Sequence, residues 1–257
     1  MTSEIIPQSS VQAHYDELLA EHYDWMFGVP FEDKVAEQEA LLRELVGGDG
    51  QGALAVDLGC GSGFQSLALA QLGYRVVAID FSEKLLARLA ARVDARSITT
   101  VLGDLRLLDR YVAPESARVV VCMGDTLTHL DSRRDVRALL EAVHRALQPG
   151  GAFVATYRDL ASTQLVGLER FIPVQADEHR VMTCFLEYVS ADTVVVNDLI
   201  YQRDSMGTWA LHKSSYPKLR VGLEWFQDQV KSAGLSVTAR KAGRLVTLAA
   251  GKRSANV

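Results

Sequence analysis

The residues whose types and spacing best suit chemistry form one run, Val56-Asp57-Leu58-Gly59-Cys60-Gly61-Ser62-Gly63. Small residues let a backbone approach a ligand closely, and the first amides of a helix lack intrahelical partners and can donate to it. Asp57, two residues ahead of the first glycine, narrows the ligand. A carboxylate there repels a pyrophosphate and suits a molecule that carries an ammonium group. The plain alternative is a tight strand-to-helix turn. Asp80 follows at the interval of about 20 residues at which a carboxylate binds two ribose hydroxyls. It could instead cap the next helix, but Ser82 is the better cap. Phe81 is placed to lie along an adenine ring, with core packing as its alternative. In Gly103-Asp104-Leu105, Asp104 can accept from an adenine amino group or serve as a turn residue.

A second group follows further along. Cys122-Met123-Gly124-Asp125-Thr126 ends a buried strand, where ligands of open α/β sheets bind, so Met123 and Gly124 are expected to contact the ligand. Asp125 can orient an acceptor or cap the following helix. His129 titrates near neutrality and can deprotonate a hydroxyl or amine, or be structural. Tyr157, Arg158 and Asp159 close the next strand; Arg158 can bind an acidic group or pair with Asp159. The candidate catalytic set is thus His129, Asp125 and Tyr157. Arg158 and Tyr201 are the candidate substrate-binding residues. Tyr15 and Tyr23, near the start of the chain, are candidates for the ligand pocket; Tyr23 and Trp25 cannot share one helical face, so one of them turns to the pocket or to solvent. Cys60 lies in the glycine run as a small residue.

The elements that must position these groups are legible as pattern. Residues 1–10 read as a loose tail. VQAHYDELLAEHYDWMFG and FEDKVAEQEALLREL carry apolar residues at helical spacing, stopped by Gly28 and Gly47-Gly48. From residue 53 short apolar runs alternate with amphipathic stretches: ALAVDLG and YRVVAIDFS read as buried strands and SITTVLGD, ARVVVCMGD and AFVATYRD as three more strands, separated by helices. That rhythm implies βαβ units and a parallel sheet. HRVMTCFLEYVS, DTVVVNDLIYQRD and TWALHKSSYPKLR read as an antiparallel insertion. GLEWFQDQVKSAG is a helix, and LSVTARKA with RLVTLAAGKR a closing hairpin.

AVDLGCGSG, VVAIDFS, LGDL, VVVCMGD and LQPGG, in this order and spacing over residues 50–160, resemble the class I S-adenosylmethionine (SAM) dependent methyltransferase family. The resemblance implies an α/β, Rossmann-like seven-stranded mostly parallel sheet of order 3-2-1-4-5-7-6. It implies that Gly59, Gly61 and Gly63, with Cys60 between them, line the SAM methionine and ribose region. Asp57 would serve the methionine ammonium, directly or through water, Asp80 the ribose, Phe81 and Leu105 the faces of adenine, and Asp104 its amino group. The helical N-terminus and the insertion are similar in architecture to the sugar-amine and glycine-type N-methyltransferases, in which an N-terminal lid covers SAM and an antiparallel platform holds the acceptor. The expected organisation is a lid (1–48), a SAM-binding core (49–159), a substrate platform (160–220) and a C-terminal helix and hairpin that complete the core (221–257).

Bulk properties limit the partners. The 257 residues carry 27 Lys and Arg against 32 Asp and Glu, a net charge of −5 without a basic cluster, which speaks against nucleic acid. The Asn/Asp-Pro-Pro-aromatic sequence of base-methylating enzymes is absent. Three widely spaced cysteines suggest neither a disulfide framework nor a metal site. No signal peptide or membrane span is legible, so a cytoplasmic protein is expected, monomeric or homodimeric, acting on a small-molecule acceptor. N-methylation is favoured slightly over O-methylation. The rival readings are a SAM-binding regulatory protein, an RNA or protein methyltransferase, and an NAD-dependent oxidoreductase, whose G-x-G-x-x-G pattern differs from the run found here.

Overall fold

The computed structural model describes residues 10–93, 97–243 and 245–254; the expected tail at 1–10 lies outside them except for Ser10, which begins the first helix. Five strands run parallel: β1 Leu54–Leu58, β2 Arg75–Asp80, β3 Ile98–Leu102, β4 Ala117–Cys122 and β5 Leu147–Tyr157. The apolar runs of β1, β2, β4 and β5 are buried because helices cover both faces of the sheet, whereas β3, at its edge, buries only Ile98. β10 Leu235–Lys241 and β11 Val246–Lys252 complete it, and β11 lies antiparallel against β5. The order β3-β2-β1-β4-β5-β11-β10 is the expected 3-2-1-4-5-7-6 arrangement. β5 starts at Leu147, so Gln148-Pro149-Gly150-Gly151 is a kinked strand entry rather than a separate turn.

Helical periodicity decides which side each helix buries. α3 Phe31–Val46 and α4 Phe64–Gln71 pack Val35, Leu42, Phe64 and Leu69 on one face of the sheet. α5 Glu83–Ala90 adds Leu86 and Leu89 to that cluster. α6 Arg133–Ala146 and α7 Leu223–Ser232 cover the other face with Val136, Leu139, Leu140, Val143, Phe226 and Val230. Ser82 caps α5, its side chain accepting from the Leu85 amide, and Ser132 caps α6.

The N-terminal segment is not the single regular helix expected. α1 Ser10–His14 widens into a π-helical turn at Tyr15–Leu19, returns as α2 Ala20–His22, and ends in a 3-10 turn, Trp25–Phe27, closed by Gly28 at φ 70°. Single π-turns inside helices recur at functional sites.

The insertion has four strands rather than three: β6 Phe171–Ala176, β7 Arg180–Tyr188, β8 Thr193–Arg203 and β9 Trp209–Leu219, in that order and antiparallel. β6 escaped the pattern because Pro173 breaks it. Proline is tolerated there because β6 is an edge strand with a register shift at that point. Residues 182, 184 and 186 of β7 and 194, 196, 198 and 200 of β8 face inward, where the N-terminal helix covers them.

Candidate active site

A cavity of about 440 Å³ opens at the carboxyl ends of β1 to β4, between the strand-to-helix loops and the N-terminal segment. Gly59 (φ 72°) and Gly61 (φ 54°) of the β1–α4 loop form part of its wall. Both backbones are left-handed, and a Cβ at Gly59 would collide with the Thr126 side chain. Asp80 at the end of β2 is anchored by two amides: Gly61 N–H donates to Oδ2 and Ser82 N–H to Oδ1, each at 2.8 Å. Burial pushes its carboxyl up to about 6. Asp57 is still more enclosed. Ser66 Oγ donates to its Oδ2 at 2.6 Å, and burial pushes its carboxyl up to about 7.

The N-terminal segment closes the cavity with aromatic rings. Tyr15 lies edge-on to Phe81 (centroids 5.7 Å apart) and to His129 (5.6 Å), and 6.2 Å from Tyr23. Polar ties hold the segment down: Gln12 Nε2 donates to Phe81 O (3.2 Å), Ser82 Oγ to Asp16 Oδ1 (2.8 Å), Lys84 Nζ to Asp16 O, and Arg92 pairs with Asp24 at 2.7 Å. Tyr23 turns to the cavity, whereas Trp25 lies under Arg180 on the side of the inserted sheet, so the two divide as expected.

The lining is acidic. Asp16, Asp80, Glu83, Asp104 and Asp131 contribute to it, and Arg106 is the one Lys or Arg among the described lining residues. Arg106 is clasped by Asp104 (2.6 Å) and Asp131 (2.8 Å). Asp104 also accepts from Arg106 N–H at 2.9 Å, capping the turn Leu105–Arg110. The turn role weighed for Asp104 is therefore present, at a residue that also lines the cavity.

Beyond β4, Gly124, Thr126 and His129 face the cavity. Burial, reinforced by the Lys218 ammonium, pushes the His129 imidazole down to about 3, so it stays neutral at physiological pH. Its Nε2 is buried without a hydrogen-bond partner.

The cavity thus gathers Tyr15, Tyr23, Gly59, Gly61, Asp80, Phe81, Asp104, Leu105, Gly124 and His129 of the expected set. The others stand elsewhere. Asp57 points beneath the loop to Ser66, Cys60 and Met123 are buried in the core between the sheet and α3–α5, and Gly63 packs against Leu89. Asp125 is turned away from the cavity, its carboxylate taken up by Lys218, Thr128 and the Arg158 amide. Tyr157 is wholly buried against Phe226, because strand alternation sends it into the core under α7. Arg158 is exposed, and Asp159 accepts from Ala161, Ser162 and Leu223 amides rather than from it. Tyr201 is 43% exposed on the outer face of β8, opposite Ile200. No described residue of 160–220 lines the cavity.

Val11, Gln12, Asp16, Thr126, Arg106 and Asp131 were missed. Two signals could have found some of them. Val11 and Gln12 fall on the helical face of Tyr15, and Thr126 stands next to the strand-end residues already singled out.

A family profile described as a methyltransferase domain matches residues 55–151, from β1 to the entry of β5. A cypemycin N-terminal methyltransferase from a Streptomyces species is 30% identical over 206 residues, covering 77% of this chain and 83% of that enzyme. The chain belongs to the SAM-dependent methyltransferases. The fold of this methyltransferase agrees with solved structures. The CcbJ methyltransferase of Streptomyces caelestis superposes with a TM-score of 0.76 at 20% identity, over 97% of this chain and 100% of that one. SAM-bound CalS10, an amino pentose methyltransferase of Micromonospora echinaspora, gives 0.71 at 18%, over 91% and 96%.

SAM is the cofactor of this methyltransferase, and the lining fits it. The cavity volume falls in the range of about 300–1,000 Å³ typical of small-molecule sites. Its carboxylates and ring faces suit a ligand with an ammonium and a sulfonium charge. Gly59 and Gly61 leave room at the wall that a side chain would fill. No helix of the described residues is long and apolar enough to cross a membrane, and no described His, Cys, Asp or Glu cluster could hold a metal ion.

Proposed function

We propose that this methyltransferase N-methylates a small amine that reaches the enzyme as a cation and gives up its proton to solvent, after which the neutral lone pair takes the SAM methyl and the sulfur leaves as the thioether of the demethylated product. The observation that carries the proposal is the acidic lining, in which Arg106, the one Lys or Arg among the described lining residues, is already clasped by two carboxylates. Such a wall attracts ammonium compounds and offers an acidic acceptor no free partner. The relatives point the same way, since one is an N-terminal methyltransferase and one acts on an amino pentose.

SAM supplies a methyl group already activated on a sulfonium, so the protein's work is alignment and exclusion of water. Asp80 holds the ribose hydroxyls, pre-aimed by the Gly61 and Ser82 amides. The Gly59–Gly61 backbone and Asp57 serve the methionine end, Asp57 through intervening groups because it does not reach the cavity wall. Phe81 and Leu105 flank the adenine, and Asp104 with its Arg106 clasp borders it. Tyr15 and Tyr23 shut the site from above. His129 is too weak a base to deprotonate a hydroxyl, but its neutral imidazole can orient an amine lone pair. In this reading residues 1–48 form the lid, 49–159 and 221–257 the core, and 160–220 the platform behind the acceptor side. The three cysteines are buried free thiols, in keeping with a reducing cytoplasm.

The test is calorimetric titration with SAM, its demethylated product and NAD, then mass-spectrometric turnover against amino sugars, a peptide with a free N-terminus, glycine, and hydroxy acids. Binding of SAM with methylation of the amines and none of the hydroxy acids supports the reading. Turnover of hydroxy acids alone would replace it with O-methylation, and SAM binding without any turnover would favour a regulatory protein.

A further inference from the structure

We propose that Lys218, on the last strand of the inserted sheet, is a positioning residue for the cofactor half of the site: through a buried ion pair with Asp125 it fixes the turn that carries Gly124, Thr126 and His129. The proposal goes beyond the acceptor reading and does not depend on which acceptor is used.

The geometry begins with Asp125. It is a non-glycine residue at φ 88°, a backbone conformation that persists only where the surroundings enforce it. Four groups do so. Lys218 Nζ donates to Oδ2, and Thr128 Oγ1 (3.0 Å) and Arg158 N–H (3.0 Å) donate to Oδ1. The Asp125 amide donates to Thr156 O at 3.1 Å. Of these partners only Lys218 comes from outside the core sheet and its loops. Both side chains of the pair are shut away from water, at 5% and 8% exposure, so the ammonium has no solvent to replace the carboxylate.

The turn so fixed faces the cavity on its other side. Thr126 Oγ1 reaches back to Gly59 O at 3.3 Å and Met123 O at 3.0 Å, stitching the β4 turn to the glycine loop. Gly124 N–H donates to Thr156 Oγ1 at 2.9 Å. An uncompensated Asp125 carboxylate would draw in water or move towards it, and Gly124, Thr126 and His129 would move with it. The inserted sheet therefore reaches the cofactor without touching the cavity.

The experiment is titration of SAM into Lys218→Met, Lys218→Arg, Asp125→Asn and the Asp125→Asn/Lys218→Met double variant, alongside their melting temperatures. Lys218→Met is expected to weaken SAM binding by about tenfold or more in protein that is still folded, and Lys218→Arg to stay within about threefold of the parent. In the Asp125→Asn background the Lys218→Met change is expected to cost little further affinity, because both act on one interaction. Three results would overturn the proposal: unchanged SAM affinity in Lys218→Met with only a lower melting temperature, equal losses in Met and Arg variants, or additive losses in the double variant. Should Lys218→Met not fold, Asp125→Asn and Lys218→Arg carry the test. Loss in the first with retention in the second supports it, and equal affinities in both sink it.

Discussion

The β1–α4 loop and the inserted sheet lie on either side of the same turn, Gly124 to His129, yet they act on the site in different ways. The loop meets the cavity with its own backbone, at Gly59 and Gly61. The sheet supplies no described lining residue and reaches the site only at second hand. Tyr216 stacks on His14 (4.2 Å between centroids) and lies edge-on to His129 (5.5 Å), and Lys218 grips Asp125. His14 Nε2 also lies 3.1 Å from Asp198 Oδ2, outside hydrogen-bond alignment, on the inner face of β8. A site wall made of backbone tolerates little change of residue type. A support made of packed side chains tolerates change wherever shape and charge are kept.

The sharpest way to break this comparison is Gly59→Val. The substitution forces a β-branched residue into a left-handed backbone and against Thr126, and SAM binding is expected to fall by about 100-fold or more, as titration would show. Retained binding would mean that the loop is not the wall.

Asp80→Ala comes next. It removes a carboxylate already aimed by two amides, and SAM affinity is expected to drop by more than ~1.4 kcal/mol, a factor of ten. Unchanged affinity would end the ribose assignment.

A smaller effect separates Asp57 from the wall. Its folded carboxyl sits near 7, above the usual range, so the native state keeps a proton that the unfolded chain releases near pH 4. The stability tied to that proton is complete below pH 4 and is lost as pH rises through 7. Asp57→Asn keeps an acceptor for Ser66 and is expected to be more stable than the parent at pH 8 by on the order of 1 kcal/mol, and so to melt higher there, with no such gain at pH 4. Melting curves of both proteins across that range decide it; a gain that does not vary with pH would refute the linkage.

The least effect is expected at Tyr157, whose hydroxyl is buried without a partner. Tyr157→Phe should leave turnover intact and keep or slightly raise the melting temperature, since an unsatisfied buried hydroxyl costs about 1 kcal/mol or more. A loss of turnover in the folded variant would restore it to the catalytic set.

Legibility followed the same division. Asp80, Phe81, Gly59, Gly61 and Gly124 were readable because strand ends and left-handed turns restrict residue type at fixed intervals, and β1, β2, β4 and β5 were readable because strands buried on both faces are continuous apolar runs. Tyr157 and Arg158 were assigned to the ligand edge by position along β5, but alternation put one in the core and the other in solvent. Tyr201 suffered the same parity, one residue from the buried Ile200. β6 was hidden by Pro173, whose place on an edge strand depends on a neighbour far along the chain.

What the sequence by itself determined was the α/β order of elements, the glycine loop and the acidic residue that ends β2, because each is a local demand of backbone geometry or hydrophobic period. Which side of a strand faces the cavity, the clasp of Arg106 by Asp104 and Asp131, the closure of the N-terminal helix through Asp16 and Asp24, and the burial of Lys218 against Asp125 were decided only by the tertiary structure. The physical reason is range. Lys218 and Asp125 stand 93 residues apart, and nothing in either one's local sequence distinguishes a solvated charge from one that has lost its water and must find a partner.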